Sequence, residues 1–570
     1  MVIATLTGFV SGIIAVLLKT LVHEIEHAIT RIPVSRFSYL LFPGIGLVIT
    51  VFIIRNFFGK EIEKGITMVL KAIARRSSFI PLKHVYVHVI TSSVTVGLGG
   101  SAGLEAPIVA TGSAVGSNLA RITDLNYRER TLLIACGAAA GIAAVFNAPI
   151  AGVIFAIEVL LAETVVSYFI PLMISSVMGA LCSKVILKES LLFNFLLKQN
   201  FDYKNVPFYI LLGVLTGAVS LYYAQSFRAV EDRLHHHRMN PYLKAVTGGL
   251  LLLVICFIFP PLFSEGYSSV KMLANATPPG ITDNTTLFSR LGAHWGLITF
   301  TALIVLVKPV AAAITIGAGG NGGNFAPALF TGAYTGFFFS KLLNSMSWMK
   351  IPEGNFSLVG MAGVLSGVMY CPLTAIFLIA EITNGYELFI PLMIVSSISF
   401  FIVKTSAPFS METKKLASEG QIFTHQKEKN ILTGMQLSEM VQQNYESINM
   451  DRRLPELMEM VKRSERNIYA VHDEKDRFAG IIELNDIKQK IFQPEKFRGL
   501  PVSALMKKPP GVIMDDQDMH AVMEKFDITQ SWYLPVLDKD KKFVGFISKT
   551  KVFNRYREIL AQQGDLYENT

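Results

Sequence analysis

The sequence has few charged residues for its length. Asp, Glu, Lys and Arg make up 17% of the 570 residues, whereas 51% are hydrophobic. Soluble domains carry about 25% charged residues, and a single hydrophobic core stops growing at about 250–300 residues. One soluble globule is therefore excluded. Disorder is excluded too, because a chain this apolar gains enough from burial to offset its ordering entropy. The composition indicates a membrane protein.

Cysteine is scarce, and a cleavable N-terminal leader is not expected. The four cysteines, Cys136, Cys182, Cys256 and Cys371, show no metal-ligand spacing, so we interpret them as packing residues and expect no metal. The apolar stretch that begins at Val2 has no charged region before it and no small-residue cleavage site. We therefore interpret it as the first membrane helix and not as a signal peptide.

Long uninterrupted apolar runs are scarce, because Gly or Pro breaks many of them before the ~20 residues that a spanning helix needs. Short, broken helices in a bundle are typical of transporters and channels. These runs stop near Val403, which predicts a membrane domain over 1–405, a linker over 406–435 and a soluble tail. The net charge of +9 comes from basic residues at the ends of apolar segments, so lipid and not nucleic acid is the expected partner.

Two stretches of the apolar part repeat each other. Relative to Pro107 and Pro327, glycines recur at −4, +5 and +9, and a second pair of prolines, Pro149 and Pro372, is followed nine residues later by a glutamate. The glycines and glutamates are Gly103, Gly112, Gly116 and Glu158 in the first copy, and Gly323, Gly332, Gly336 and Glu381 in the second. The pattern predicts a duplicated membrane fold.

Each repeat contains a glycine-rich segment that leads into a proline near the first turn of a helix. The free N–H groups and the positive dipole end of such a helix start can bind a small anion without a full positive charge. Gly103 and Gly323 allow close approach of the backbone to the ion. For Gly112, Gly116, Gly332 and Gly336 close helix packing is the preferred interpretation.

The segments GLEAP and GNFAP, at Gly103–Pro107 and Gly323–Pro327, resemble the signature motifs of the CLC family of chloride channels and proton-coupled chloride transporters. The resemblance covers essentially the whole chain. It implies an all-α polytopic membrane protein with an internally duplicated, inverted-repeat CLC fold, followed by an α/β CBS-pair domain. It further implies a non-enzymatic homodimer that moves chloride or other small anions, with the CBS tail in the cytoplasm.

The resemblance also implies roles for individual residues. Glu105 takes the position of the gate that competes with chloride, and the anion-binding backbone is carried over to Gly103, Leu104, Gly323, Asn324 and Phe325. The residues themselves support a gate, because a carboxylate among apolar neighbours in a membrane is costly and therefore functional by default. At a helix start it can occupy the anion site when ionised and leave it when protonated. The alternative is a carboxylate that only caps its own helix.

The chain departs from the family where the inner half of the ion site is expected. The serine of the first motif is missing and Lys64 or a neighbour takes its place. The central tyrosine is also missing, and Phe409, Ser410 or Glu412 is the replacement, with Phe409 as the tentative inner-site residue. Val159 stands where proton-coupled members carry an internal glutamate, which favours a channel over a proton-coupled exchanger. Glu158 and Glu381 are assigned to folding.

Other motifs offer competing hypotheses. His23–His27 spells HExxH, the helix signature of zinc metalloproteases, so an intramembrane protease is a distant alternative. The favoured interpretation is a polar helix end, because a third ligand is not apparent. His235, His236 and His237 are interpreted as a surface loop. Gly317, Gly319 and Gly322 give GxGxxG without a preceding strand, which is weak evidence for a dinucleotide site.

The tail also repeats itself, with an Asp-to-Gly spacing of seven in both copies, Asp473 to Gly480 and Asp538 to Gly545. The pattern resembles tandem CBS domains, here predicted over 436–494 and 495–570. The resemblance implies an adenine nucleotide as ligand, with Asp486 and Ser548 as tentative contacts. A purely structural dimerising role is the alternative.

Overall fold

The chain forms two compact units, residues 1–423 and 424–570. The computed structural model describes residues 1–31, 38–59, 63, 65–74, 78–161, 166–187, 195, 199–236, 239–275, 293–346, 350–418, 435 and 437–564.

The regular elements among the described residues of the first unit are helices. Its first eight helices are α1 Val2–Arg31, α2 Phe42–Phe57, α3 Gly65–Ala74, α4 Lys83–Gly97, α5 Glu105–Ile122, α6 Tyr127–Phe146, α7 Pro149–Phe155 and α8 Phe169–Ile186. The next nine are α9 Val206–His236, α10 Pro241–Ile258, α11 Tyr267–Ala274, α12 Ala293–Gly317, α13 Phe325–Ser345, α14 Glu353–Met369, α15 Pro372–Ile382, α16 Phe389–Ser406 and α17 Met411–Ser418. Eight apolar stretches within the described residues are long enough to cross a membrane: Val2–Ile29, Tyr39–Phe57, Tyr127–Phe146, Phe169–Ile186, Tyr203–Leu234, Pro241–Ile258, Trp295–Gly317 and Phe389–Lys414.

The two repeats pack in the same way. Helix α5 lies against α6, and α13 lies against α14. Both crossings are tight at matching glycines: a Cβ on Gly112 would strike the backbone of Gly137, and one on Gly332 would strike the backbone of Gly360. Small residues at a helix crossing let the backbones approach closely. These glycines therefore have the packing role that their spacing suggested.

The repeats also end their central helices alike. Helix α6 is followed by Asn147 and α14 by Tyr370, both in the left-handed region with φ of 53° and 59°. Pro149 and Pro372 then occupy the first turn of α7 and α15, where the missing N–H is not needed. The duplicated architecture predicted from the sequence is confirmed.

The second unit is an α/β repeat. The first sheet has the order β1 Ser447–Asn449, β2 Ile468–His472, β3 Phe478–Glu483, and the second β4 Ile513–Met514, β5 Tyr533–Leu537, β6 Phe543–Ser548. In both, the first pair is parallel and the second antiparallel. The helices of this unit are α18 Leu437–Met440, α19 Leu454–Arg463, α20 Leu484–Ile491, α21 Pro494–Phe497, α22 Met519–Thr529 and α23 Lys549–Gly564. The α/β fold expected for a CBS pair is confirmed.

The two halves of this unit exchange chain segments. Gln442, which precedes the first sheet, pairs with Phe546 of the second sheet, and Lys507, which precedes the second sheet, pairs with Ile481 of the first. Tyr445 packs on Phe546 with ring centroids 4.9 Å apart. Because each half completes the sheet of the other, the unit forms as one body.

Candidate functional site

The two glycine-rich helix starts meet in the structure. Gly103 and Gly323 form an antiparallel backbone pair: the N–H of Gly103 donates to the carbonyl of Gly323 at 3.0 Å, and the N–H of Gly323 donates to the carbonyl of Gly103 at 2.8 Å. The start of α5 is thereby fixed against the start of α13. The convergence of two helix starts that the repeat suggested is present.

Neither helix start is capped by its own residues. Leu104 and Asn324 occupy the N-cap positions of α5 and α13, and neither side chain accepts a hydrogen bond from its helix. The third helical position of each is a proline, Pro107 or Pro327, which has no N–H. The remaining N–H groups of the first turns are those that normally need an outside acceptor.

Glu105 supplies one such acceptor. Its side chain is 0% exposed. One carboxylate oxygen, Oε2, accepts from the backbone N–H of Ala326 at 3.2 Å, and the other, Oε1, accepts from the Tyr267 hydroxyl at 2.6 Å. The carboxylate of Glu105, the residue predicted to be the gate, therefore lies on the helix start of the second repeat. It does not cap only its own helix.

The other predicted anion-site residues surround this contact. Asn324 is buried, and its Oδ1 accepts from the hydroxyl of Tyr223 at 3.4 Å. Phe325 is buried with its ring centroid 5.7 Å from that of Phe146 and 6.2 Å from that of Phe155. Rigid aromatic packing of this kind holds the first turn of α13 in place.

A second carboxylate, which the sequence reasoning missed, reaches the start of α5. Glu265 Oε1 accepts from the backbone N–H of Leu104 at 3.2 Å. The available signal was a single charged residue just after the apolar segment Pro260–Phe263.

Two lysines inside the first unit were also missed. Lys308 of α12 is 0% exposed, and its ammonium donates to Ser101 Oγ at 2.9 Å and lies 4.5 Å from the Phe330 ring centroid. Lys19 of α1 donates to the carbonyl of Val145 at 2.8 Å. A lysine in an apolar helix is costly unless its charge is used. Both contribute positive potential within the helical unit, which favours anions.

The structure describes only part of the region expected to form the inner site. Lys64 lies outside the described residues. Phe409 is half-buried. A hydrogen bond to the start of α3 comes from Glu412, three residues after Phe409. The carboxylate Oε2 of Glu412 accepts from the Thr67 hydroxyl at 2.5 Å. Val159 is partly buried against the apolar core.

Glu158 and Glu381 form a reciprocal pair of helix caps. Glu158 accepts from the backbone N–H groups of Leu373 and Thr374 at 3.1 and 2.8 Å, at the start of α15. Glu381 accepts from those of Ile150 and Ala151 at 2.9 and 2.8 Å, at the start of α7. Each repeat caps the other, in accord with the folding role assigned to both residues.

The described residues of the competing motifs do not come together in a metal-binding group. His23 and His27 are exposed, with ring centroids 6.0 Å apart. No group of three or more His, Cys, Asp and Glu that could hold a metal occurs among the described residues. The side chains of His235–His237 lie outside them. Gly317 ends helix α12, and Gly322 lies in the connection from α12 to α13, so a helix and not a strand precedes this glycine motif.

The tentative nucleotide contacts have partners within their own unit. The carboxylate of Asp486 is 2.8 Å from the ammonium of Lys507, which also lies 3.1 Å from Glu483. The hydrogen bond to Asp486 raises the pKa of Lys507. Ser548 is buried and accepts from the backbone N–H of Lys551 at 3.2 Å.

Comparison with known proteins identifies two families in the chain. Residues 45–404 match the voltage gated chloride channel family and residues 502–558 the CBS domain. The chain is 27% identical to "Chloride channel protein CLC-f" of Arabidopsis thaliana, over 71% of this chain and 56% of that one, so it spans little more than half of that relative.

Two further comparisons cover more of the related protein. The chain is 26% identical to "Putative chloride channel protein ClcB-like" of Ralstonia nicotianae, over 62% of this chain and 80% of that one. The crystal structure of "a slow cyanobacterial Cl-/H+ antiporter" superimposes with a TM-score of 0.61 at 20% identity, covering 75% of this chain and 98% of that chain. At that identity the likeness shows the fold.

Proposed function

Because the chain belongs to the voltage-gated chloride channel (CLC) family of membrane transport proteins, we propose that it moves chloride or a similar small anion along a path gated by Glu105. One observation carries the proposal: the buried Glu105 carboxylate lies on the N–H of Ala326, at the start of the opposite repeat. A carboxylate oxygen and a halide ion present the same negative charge to an N–H group, so they compete for it.

The surroundings of Glu105 suit a gate that opens and closes. The ionised carboxylate is held by Ala326 N–H and by the Tyr267 hydroxyl, which stabilises the closed position. Protonation removes the charge that these donors bind, so the neutral side chain is released more easily. Anion flow is therefore expected to rise as the pH falls.

Passive conduction is the first candidate for the transport mode. Val159 offers no titratable group where proton-coupled members of the family carry a glutamate. Proton-coupled exchange is the second candidate. An anion and the ionised Glu105 carboxylate compete for the same N–H, so binding of the anion there is linked to protonation of Glu105. The antiporter described in the structural comparison is a relative of this second kind.

Flux from proteoliposomes tests the proposal and separates the two modes. The purified chain is reconstituted with internal chloride, and chloride efflux and external pH are recorded together. Passive conduction predicts chloride efflux that requires a second ion pathway to compensate the charge and that is not accompanied by proton movement. Exchange predicts uphill proton movement driven by the chloride gradient. Absence of anion flux at any pH would refute the proposed function.

We further propose that the chain is a homodimer with one pore per subunit and a cytoplasmic CBS pair that regulates it. Apolar side chains are exposed at matching positions of α8 and α16, such as Ile170 and Ile390, and suit lipid or a second copy. Cross-linking in membranes tests the dimer. Titration of the full chain with ATP tests the CBS ligand, and a Kd unchanged in Asp486→Asn and Ser548→Ala would remove both as contacts.

A further inference from the structure

Glu265 is held in a defined position beside the candidate gate. It lies between two residues with positive φ, Ser264 at 58° and Gly266 at 78°. The N–H of Ser264 donates to the carbonyl of Gly99 at 3.1 Å, and the Ser264 carbonyl accepts from Lys308 Nζ at 3.4 Å. The turn is thus tied to the glycine segment that precedes α5, which directs the Glu265 side chain to the helix start.

The contact of Glu265 completes a pattern at the paired glycines. Glu105 accepts a hydrogen bond from the N–H of Ala326, in the first turn of α13. Glu265 accepts one from the N–H of Leu104, the N-cap residue of α5. Gly103 and Gly323 pair between these two points. Both helix starts that form the candidate anion site therefore have a carboxylate where an anion would bind.

The duplication gives the position of Glu265 a counterpart. Gly65 is the first residue of α3 and has a φ of 71°, and Gly266 directly precedes α11 and has a φ of 78°. Helix α3 packs on α5, and α11 packs on α13, so the two turns correspond in the two repeats. In sequence, Glu265 matches Lys64, the residue that the family resemblance assigns to the inner site.

Several charged groups act on Glu265. Two carboxylates of the same sign act on Glu265: Glu105, which accepts a hydrogen bond from the Tyr267 hydroxyl, and Glu26 of α1. The opposing cations are Lys19 of α1 and Lys308 of α12, and Lys271 of α11 acts on Lys19. Two carboxylates so close in a region of low dielectric constant influence the ionisation of each other.

We propose that Glu265 is a second gating carboxylate, which occupies the Leu104 N–H when ionised and yields it to the anion when protonated. The inference rests on the proposed anion transport and extends it from one gate to two. A static cap would need only an acceptor at Leu104, whereas a gate needs an acceptor whose charge changes with pH. Glu265→Gln keeps the acceptor and removes the ionisation, so it separates these roles.

Chloride flux is measured from acidic to neutral pH for the reconstituted wild type, Glu105→Gln, Glu265→Gln and the double variant. The control is Glu387→Gln, which makes the same change at an exposed glutamate. We expect the chloride flux of Glu105→Gln still to rise about fivefold on acidification. This is the factor that corresponds to the difference in hydrogen-bond strength between an ionised and a neutral acceptor for one donor. In the double variant this residual rise is lost.

Two outcomes would overturn the inference while leaving Glu105 as a gate. One is a flat pH profile in Glu105→Gln alone, and the other is a residual rise that persists in the double variant. Glu265→Ala gives a further readout, because it frees the Leu104 N–H: we expect more chloride flux at neutral pH than in Glu265→Gln. Equal flux in the two would assign Glu265 a structural role. Complete absence of flux in the wild type would instead refute the anion transport itself.

Discussion

The carboxylate of Glu105 accepts a hydrogen bond from the N–H of Ala326 at 3.2 Å, although the two residues are 221 positions apart and belong to different repeats. The bond places the one charge of the first motif on the helix start of the second motif. In the proposed mechanism both copies of the duplicated sequence therefore form the closed gate, and either copy can be altered to test it.

Tyr267→Phe should open the gate partially at neutral pH. The variant removes the hydroxyl that donates to Glu105 Oε1 at 2.6 Å and leaves the ring in place. A hydrogen bond to a charged acceptor contributes about 1.5 kcal/mol, which corresponds to roughly tenfold in the population of the open state. Chloride flux at neutral pH should rise accordingly. Tyr209→Phe is the control, because the buried Tyr209 hydroxyl has no hydrogen-bond partner among the described residues. A similar rise in that variant would contradict the assignment.

Glu381→Ala should lower stability without acting on the gate. The variant leaves the N–H groups of Ile150 and Ala151 without their acceptor at the start of α7. Loss of such a cap costs about 2 kcal/mol, so the apparent thermal midpoint in detergent should fall. The pH dependence of flux by the folded fraction should be unchanged. Glu387→Ala, at an exposed site, should stay within about 0.5 kcal/mol. An equal loss in both would argue against the reciprocal caps.

Gly112→Ala should disrupt the packing of α5 on α6. The added methyl group would strike the backbone carbonyl of Gly137, which cannot move independently of its helix. Overpacking of this kind costs about 1–3 kcal/mol, measured as lower yield of folded protein and a lower thermal midpoint. Gly499→Ala is the matched control, since no atom of the part of the chain that the structure describes lies within 4 Å of the position its Cβ would occupy. Wild-type stability of Gly112→Ala would show that the crossing is looser than described.

The sequence was sufficient for features that repeat locally. Glu105, Asn324 and Phe325 could be placed because the glycine and proline spacing of the two motifs defines both helix starts. Glu158 and Glu381 could be assigned to folding from their equal offsets, although their exchange of caps could not be foreseen. The contact from Glu265 to Leu104 spans 161 residues and depends on the turn at Ser264–Gly266, which no motif marks. The sequence alone does not choose between Phe409, Ser410 and Glu412 at the inner site, because the hydrogen bond from Thr67 to Glu412 depends on the approach of α17 to α3.

The pH dependence of chloride flux through Glu105→Gln tests the central claim most directly. Wild-type flux should rise as the pH falls, since protonation of Glu105 releases the Ala326 N–H to the anion. Glu105→Gln should show high flux at neutral pH and lose the greater part of this rise, with Glu387→Gln behaving as wild type. A Glu105→Gln variant that kept the full wild-type pH profile would contradict the account, because the gate would then lie elsewhere.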